Sequence, residues 1–350
     1  MSATFGETRY ETDRRAPVIA PRQPPGPAPA PPPGRPERPT TPIVLVGPAG
    51  GGKTTLLSAI LHGGPDTDVY GEWRAIPPSH GSALVDELYE SAEDRRFPEA
   101  TVEAGSETWT VRGEYRDRTR RGLLGRTTVE RGERVEFDLA VVDPPGGDLL
   151  SPGSTGILDV LCRSRGIILL VDPTKMLREA VAQQTDPAAE LVPTFKYFNR
   201  LLRGLDSRLA EQGAAGRLPH HLSVCVSKFD DPMVYAAAKS LDLVDRNAGR
   251  QPTVPSGDPA AIFFGDLCRR SVEPNDARIP EMVTRYFRPE RTRYHVVSAI
   301  GFYVDPEHDF DEEDFLNVVV EGRAKRIRNQ NPVNVWETLI ELYESIRTEH

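Results

Sequence analysis

The segment Gly47-Pro48-Ala49-Gly50-Gly51-Gly52-Lys53-Thr54 constrains this chain more than any other. It fits G-x-x-x-x-G-K-[ST], follows the apolar run Ile43-Val44-Leu45-Val46, and opens a stretch from Thr54 to about Leu61 whose pattern predicts a helix. A short run that is apolar at every position reads as a strand buried on both faces, as in a parallel sheet. Between such a strand and a helix start, glycines let the backbone close around a phosphate with successive N–H groups aimed at it, and the helix N-terminus adds partial positive charge. The sequence therefore predicts a polyphosphate cradle of Gly47, Gly50, Gly51, Gly52, Lys53, Thr54 and Thr55. In it Lys53 reaches the β- and γ-phosphates and the Thr54 hydroxyl ligates Mg²⁺.

The rest of the composition narrows the class. With 350 residues, 38% of them hydrophobic, the chain is long enough for a packed core. No run of eighteen apolar residues occurs, and the first fifteen residues lack an apolar signal region, so a cytoplasmic protein is expected. A net charge of -9 argues against nucleic-acid binding through a generally basic surface. Cys162, Cys225 and Cys268 are odd in number and widely spaced, which fits reduced structural thiols. Lysine is scarce, six against thirty-seven arginines, so each lysine is more informative than usual.

Residues 17–42 hold twelve prolines in twenty-six positions, a composition that favours extended polyproline II and buries no core. Residues 1–41 are thus expected to form a disordered tail, either a plain extension or a docking peptide for a protein effector or activator. One domain follows over 42–350. It carries an insertion at 63–107, with an amphipathic helix presenting Leu84, Val85, Leu88 and Tyr89, and an acidic insertion at 302–331. The acidic cluster Asp305 to Asp314 reads as a solvated loop, or less readily as a cation site, because regular ligand spacing is missing.

Alternation predicts an antiparallel hairpin from Trp109, Val111 and Tyr115 and from Val135, Phe137 and Leu139. Its tip, Arg116 to Thr128, is arginine-rich: Arg116, Arg118, Arg120, Arg121 and Arg126 suit an acidic partner, RNA or an anionic membrane surface, or simply a solvated turn. Further strands are expected at Ile167–Val171, Leu222–Val226 and Tyr294–Val297, and helices near 188–211, 257–270, 279–287 and 332–347. The last presents Trp336, Leu339, Ile340 and Tyr343 to the core. Strands alternating with helices imply a three-layer α/β fold, mostly parallel with one antiparallel strand and helices on both faces.

Four further places carry chemistry. Asp143 follows the apolar run Leu139 to Val142, which puts a carboxylate at a strand end where a water-bridged Mg²⁺ contact is needed, with Gly146 placed to offer an N–H to the γ-phosphate. Asp172, after Ile167 to Val171, is a rival for the metal-binding role. Ser227-Lys228-Phe229-Asp230 ends the Leu222–Val226 strand. Its aspartate has two acceptors for the N1–H and N2–H₂ of guanine, a pair adenine cannot supply, and the lysine stem suits the base plane. Ser298-Ala299-Ile300 ends the Tyr294–Val297 strand, and Phe97-Pro98-Glu99-Ala100-Thr101 precedes the hairpin.

In this order the motifs resemble the P-loop GTPases, in their translation-factor-related, Ras-like branch. Asp143 to Gly146 resembles the D-x-x-G switch, Ser227 to Asp230 the [N/T]-K-x-D guanine motif, and Ser298 to Ile300 the S-A-K element that sets an N–H on the guanine oxygen. The resemblance implies GTP and GDP as ligands, Mg²⁺ as cofactor, and a switch threonine that binds the metal and senses the γ-phosphate, for which Thr101 is favoured over Thr67 and Thr108. G-P-x-G-x-G-K-T-T-L-L, the long insertion and the helix after Pro332 further resemble a bacterial double-GTPase group of regulatory and conflict systems. Two departures stand out. Thr54 and Asp143 lie 143 − 54 = 89 positions apart, about twice the gap of a small GTPase, and Gly147 occupies the place of a water-positioning glutamine. Slow hydrolysis is expected, with Lys53, Thr101 and Gly146 serving catalysis. The alternatives are an ATPase that uses Asp172, and a GTP-loaded scaffold that does not hydrolyse.

Overall fold

The computed structural model describes residues 43–65, 67–78, 82–99, 105–116, 118–121, 127–130, 132–143, 155–177, 193–246, 251–322 and 324–349. The proline-rich tail, and the docking role expected of it, lie outside the described residues.

The first strand, β1 (Ile43–Val46), delivers the chain to helix α1 (Lys53–His62) through the glycine-rich loop. Then come α2 (Thr67–Tyr70), β2 (Glu72–Ile76), α3 (Ala83–Glu93) and the long strand β3 (Gly105–Glu114). A two-stranded ribbon, β4 (Arg118–Arg121) and β5 (Thr127–Glu130), leads to β6 (Arg134–Asp143). The second half alternates helix and strand: α4 (Thr155–Arg163), β7 (Gly166–Val171), α5 (Pro173–Leu177), α6 (Thr194–Glu211), β8 (His221–Val226), α7 (Pro232–Ser240), α8 (Asp258–Arg270), α9 (Ile279–Tyr286) and β9 (Thr292–Val296). A second ribbon, β10 (Val318–Glu321) with β11 (Ala324–Ile327), precedes the terminal helix α10 (Val335–Arg347).

Among the described residues seven strands form one sheet in the order β2-β3-β6-β1-β7-β8-β9. The pairs β6–β1, β1–β7, β7–β8 and β8–β9 are parallel, while β3 runs antiparallel to both β2 and β6. Only β3 therefore opposes the rest, and with helices on both faces this is the three-layer α/β fold of P-loop nucleoside triphosphatases.

Successive side chains on a strand point to opposite faces, so a strand covered on both sides must be apolar throughout. On one face Val44, Val46, Ile167 and Leu169 pack with Tyr197, Phe198, Leu201 and Leu205 of α6 and Phe263 of α8. On the other, Ile43, Leu45, Ile168 and Leu170 pack with Leu56 and Ile60 of α1, Leu88 of α3 and Trp336, Leu339 and Ile340 of α10. Tyr343 of α10 stacks on Phe137, ring centroids 4.4 Å apart. Each fully buried side chain of this size contributes about 1.5–3 kcal/mol relative to exposure.

Several expectations need correction. The 63–107 insertion is not merely polar with one helix: β2 extends the sheet, with Trp73 buried across from Gly113. In α3, Val85 and Leu88 face the core but Tyr89 is 45% exposed, its ring set edge-on to His62 instead. The arginine-rich tip is the β4–β5 ribbon; the side chains of Arg118, Arg120 and Arg121, and Arg126 altogether, lie outside the described residues. Helices α4, α5 and α7 were not anticipated, and α6 starts at Thr194, residues 188–192 lying outside the described residues. The Asp305–Asp314 stretch is not simply solvated, because Glu312 accepts from Lys239 and Arg246 and Asp314 pairs with Arg328. Among the described residues no group of three His, Cys, Asp or Glu side chains is arranged to hold a metal ion, and no helix is long and apolar enough to cross a membrane.

The Trp73 indole lies flat over Gly113, where an added Cβ would fall 2.3 Å from a ring carbon. Gly113→Ala is therefore expected to overpack this edge and lower the unfolding free energy by about 1–3 kcal/mol, read as a fall in the urea midpoint at unchanged slope.

Candidate nucleotide site

In parallel α/β sheets ligands collect at the carboxyl ends of the strands, and here the loops after β1, β7, β8 and β9 surround a cleft of about 810 Å³. Ala49, Gly50, Gly52, Lys53, Thr54 and Thr55 line it together with Ser227, Lys228, Asp230, Ala299 and Ile300. Three motifs distant in the chain thus share one cavity.

The loop has the conformation its glycines permit. Gly50 (φ 70°) and Gly52 (φ 93°) are left-handed, where a side chain is strained, and a Cβ on Gly47 would sit 2.9 Å from that of Leu170. Gly51 N donates to Pro48 O at 3.0 Å, and Leu56 N to Gly52 O begins the helix. Lys53, buried, donates from Nζ to Gly47 O (2.9 Å) and Pro48 O (3.2 Å), holding its ammonium inside the curl of the loop.

The base end is built on β8. Ser227 Oγ lies 3.0 Å from Val171 O and 3.1 Å from Gly51 O, its one proton shared between the two carbonyls, and fastens this turn to the glycine-rich loop. Its hydroxyl is thus a tether between the two turns. Lys228 adopts φ 57°, uncommon for a non-glycine residue, and its Nζ reaches Asp172 Oδ2 at 2.7 Å. Asp172 is fully buried, its Oδ1 also accepting from Thr174 N (3.1 Å) and Thr174 Oγ1 (2.6 Å). Both its oxygens are thus engaged, as a structural brace between the β7 and β8 turns.

Phe229 is buried, its N–H bonded to Val297 O, and next to it the Asp230 carboxyl accepts a short hydrogen bond from Ser298 Oγ. Burial pushes the Asp230 carboxyl up to about 6, against the opposing pull of the Ser298 bond. Ser298 Oγ in turn accepts from Gly301 N at 2.8 Å, which shapes the Ala299–Ile300 turn facing Asp230. Asn317, buried, donates to Ile300 O (2.8 Å) and accepts from Asn329 N (2.9 Å), pinning that turn to the second ribbon.

On the remaining side, Arg96-Phe97-Pro98-Glu99 lines the cleft. Glu87 of α3 fixes this segment, accepting from Arg96 Nη1 (2.5 Å) and Nη2 (3.0 Å) and from Glu99 N (2.7 Å), and the Arg96 guanidinium holds its carboxyl below the usual range. The second ribbon joins here too, through Ile327 N to Arg95 O (2.7 Å) and an Arg96–Arg326 bridge. Leu316, Asn317, Val318 and Lys325 complete the wall.

Of the remaining sequence candidates, Thr101 and Gly146, like Gly147, lie outside the described residues. Asp143 ends β6 opposite Gly105, and its side chain is likewise outside them. Thr108 sits mid-strand in β3 opposite Ala140, and Thr67 begins α2. Sequence reasoning missed Arg96, Asn317, Lys325 and Lys175, the last donating from Nζ to Ala49 O at 2.5 Å. The scarcity of lysine was the available signal: Lys53, Lys175, Lys228 and Lys325, four of six, gather at or beside the cleft.

The cradle fits a polyphosphate: glycines at positive φ, a buried lysine and a helix start converge on one end of the cavity. For Mg²⁺ the described contribution is the Thr54 hydroxyl side of the lining, with Asp143 at the neighbouring strand end.

No family model matches the chain, and no curated protein matches it. Among solved structures it is similar to a chain of the signal recognition particle receptor SRb-GTP/SRX complex from Chaetomium thermophilum, with 16% identity, a TM-score of 0.33, and coverage of 76% of this chain and 93% of that one. It is also similar to Sup35 complexed with GDP (13%, TM-score 0.28, 79% and 40% covered) and to the S. cerevisiae Ski7 GTPase-like domain bound to GTP (12%, TM-score 0.28, 77% and 46% covered). The chain spans less than half the length of the latter two.

Asp230 gives a pH test of the base end. Its folded pKa, about 6, lies above the ordinary 3.8, so its contribution to stability is fully present below pH 3.8 and lost as pH rises through about 6. Asp230→Asn, which keeps an acceptor for Ser298, is expected to make the nucleotide-free protein more stable than the parent at pH 7–8, the difference vanishing near pH 4 in paired thermal melts.

Proposed function

We propose that this protein is a Mg²⁺-dependent GTP-binding switch that hydrolyses GTP slowly. The observation that carries this reading is that Lys53 and Asp230 line one cleft of about 810 Å³. Lys53 and the loop N–H groups would hold the phosphates, Asp230 would accept from guanine N1–H and N2–H₂, and Ala299 would offer its N–H to the base oxygen. Thr54 and, from the motif resemblance, Thr101 and Asp143 would hold Mg²⁺, which neutralises the phosphate oxygens when bound. The absence of a side chain at Gly147, where an attacking water would be positioned, supports slow turnover without a partner. The motif resemblance extends the role to a bacterial regulatory or conflict system, with a protein effector or activator.

Because Asp230 must be ionised to accept two donors, guanine-nucleotide affinity should rise between pH 5 and 7 and level off above. Titration calorimetry at pH 7.5 is expected to show GTP and GDP binding at least about tenfold tighter than ATP, a preference of about 1.4 kcal/mol or more. Asp230→Ala should erase both the preference and the pH dependence; equal or tighter ATP binding by the parent protein would overturn the proposal.

A further inference from the structure

The loop after β7 brings a second lysine to the phosphate loop. Lys175, on the short helix α5, is half-buried and donates from Nζ to Ala49 O at 2.5 Å; its ammonium lies 3.7 Å from where a Cβ on Gly50 would stand. Ala49 and Gly50 form the crest of the loop, and both line the cleft, as does Thr174 beside Lys175. Lys175 also feels the charges of Lys53, Lys228 and Asp172. The Asp172 carboxylate is itself already bonded to Lys228 and Thr174. Burial pulls the Lys175 ammonium down from its ordinary value, the cost of withdrawing it from water onto the Ala49 carbonyl. A second ammonium beside the crest of a glycine-rich loop is placed to meet a polyanion held by that loop.

We propose that Lys175 is a catalytic cation supplied in cis, which meets the β–γ end of the bound triphosphate and stabilises the negative charge that develops there during hydrolysis. This rests on the GTP-binding reading above. In the reaction a water oxygen bonds to the γ-phosphorus while the bond from that phosphorus to the β–γ bridging oxygen breaks. The electron pair stays on the β-phosphate of GDP, and the water proton passes to the departing inorganic phosphate. Lys175 neither gains nor loses a proton. Its ammonium leaves Ala49 O, by a swing of its flexible stem, for the oxygen that accumulates charge, the role an arginine finger plays when a partner supplies it. No side chain at Gly147 positions the water, so the cation speeds departure of the leaving group and the overall rate stays low.

The test uses the full chain with Lys175→Met and Lys175→Arg, measured for GDP affinity, single-turnover GTP hydrolysis, and formation of a GDP–aluminium fluoride complex with Mg²⁺. Lys175→Met is expected to keep GDP affinity within about threefold, to slow hydrolysis at least about tenfold and to lose the fluoride complex, while Lys175→Arg recovers part of both. A merely structural lysine would alter GDP affinity or folding without selectively losing the fluoride complex. The inference is overturned if Lys175→Met hydrolyses and traps fluoride like the parent, if its losses are matched by an equal loss of GDP affinity, or if the parent binds GTP yet shows neither hydrolysis nor a fluoride complex. Failure of the parent to bind GTP at all would instead strike the GTP-binding reading.

Discussion

The Asp172 carboxylate is the interaction on which the rest of the cleft depends. Withdrawing a carboxylate from water costs several kcal/mol unless its oxygens are hydrogen-bonded, and here Thr174 and Lys228 bond both of them. Its engagement with Lys228 holds that residue in a left-handed conformation, which turns Phe229 into the core and aims Asp230 at the cavity. Ser227 then ties the same turn to Gly51. The Ser227–Asp230 turn and the glycine-rich loop are thus coupled through one strand edge, so that neither is a free-standing loop.

The fold was legible wherever burial was two-sided. Ile43–Val46 and Ile167–Val171 are apolar at consecutive positions because both faces of the sheet are covered, and no other local structure explains such short runs as well. The strand β2 was missed because an edge strand buries little; only Trp73 of its five residues is fully covered. Helix α7 was missed for a different reason. Its start signal, Asp231 capping Met233 N with Pro232 in the first turn, is plain in the sequence but abuts the Ser227–Asp230 motif, whose chemistry alone accounts for that aspartate-rich stretch.

The site divides the same way. Residues set by contiguous motifs, from Gly47 to Thr55 and from Ser227 to Asp230, could be named because the chemistry demands adjacent positions. Glu87, Lys175 and Asn317 could not, since each acts on a segment remote in sequence: Glu87 on Arg96 and Glu99, Lys175 on Ala49, Asn317 on Ile300. Their roles arise from where the sheet order places their helices and loops, information that resides in packing and not in local pattern.

The backbone bonds between Arg95 and Ile327, and the bridge between Arg96 and Arg326, join two insertions that enter the chain more than two hundred residues apart. Ile327 is buried at that junction, and Asn317 anchors the same ribbon to the base turn. Neither insertion is therefore a detachable ornament. A shortened version of this protein that removed one would strip cover from the other, so a minimal functional core has to be trimmed at both places at once or at neither.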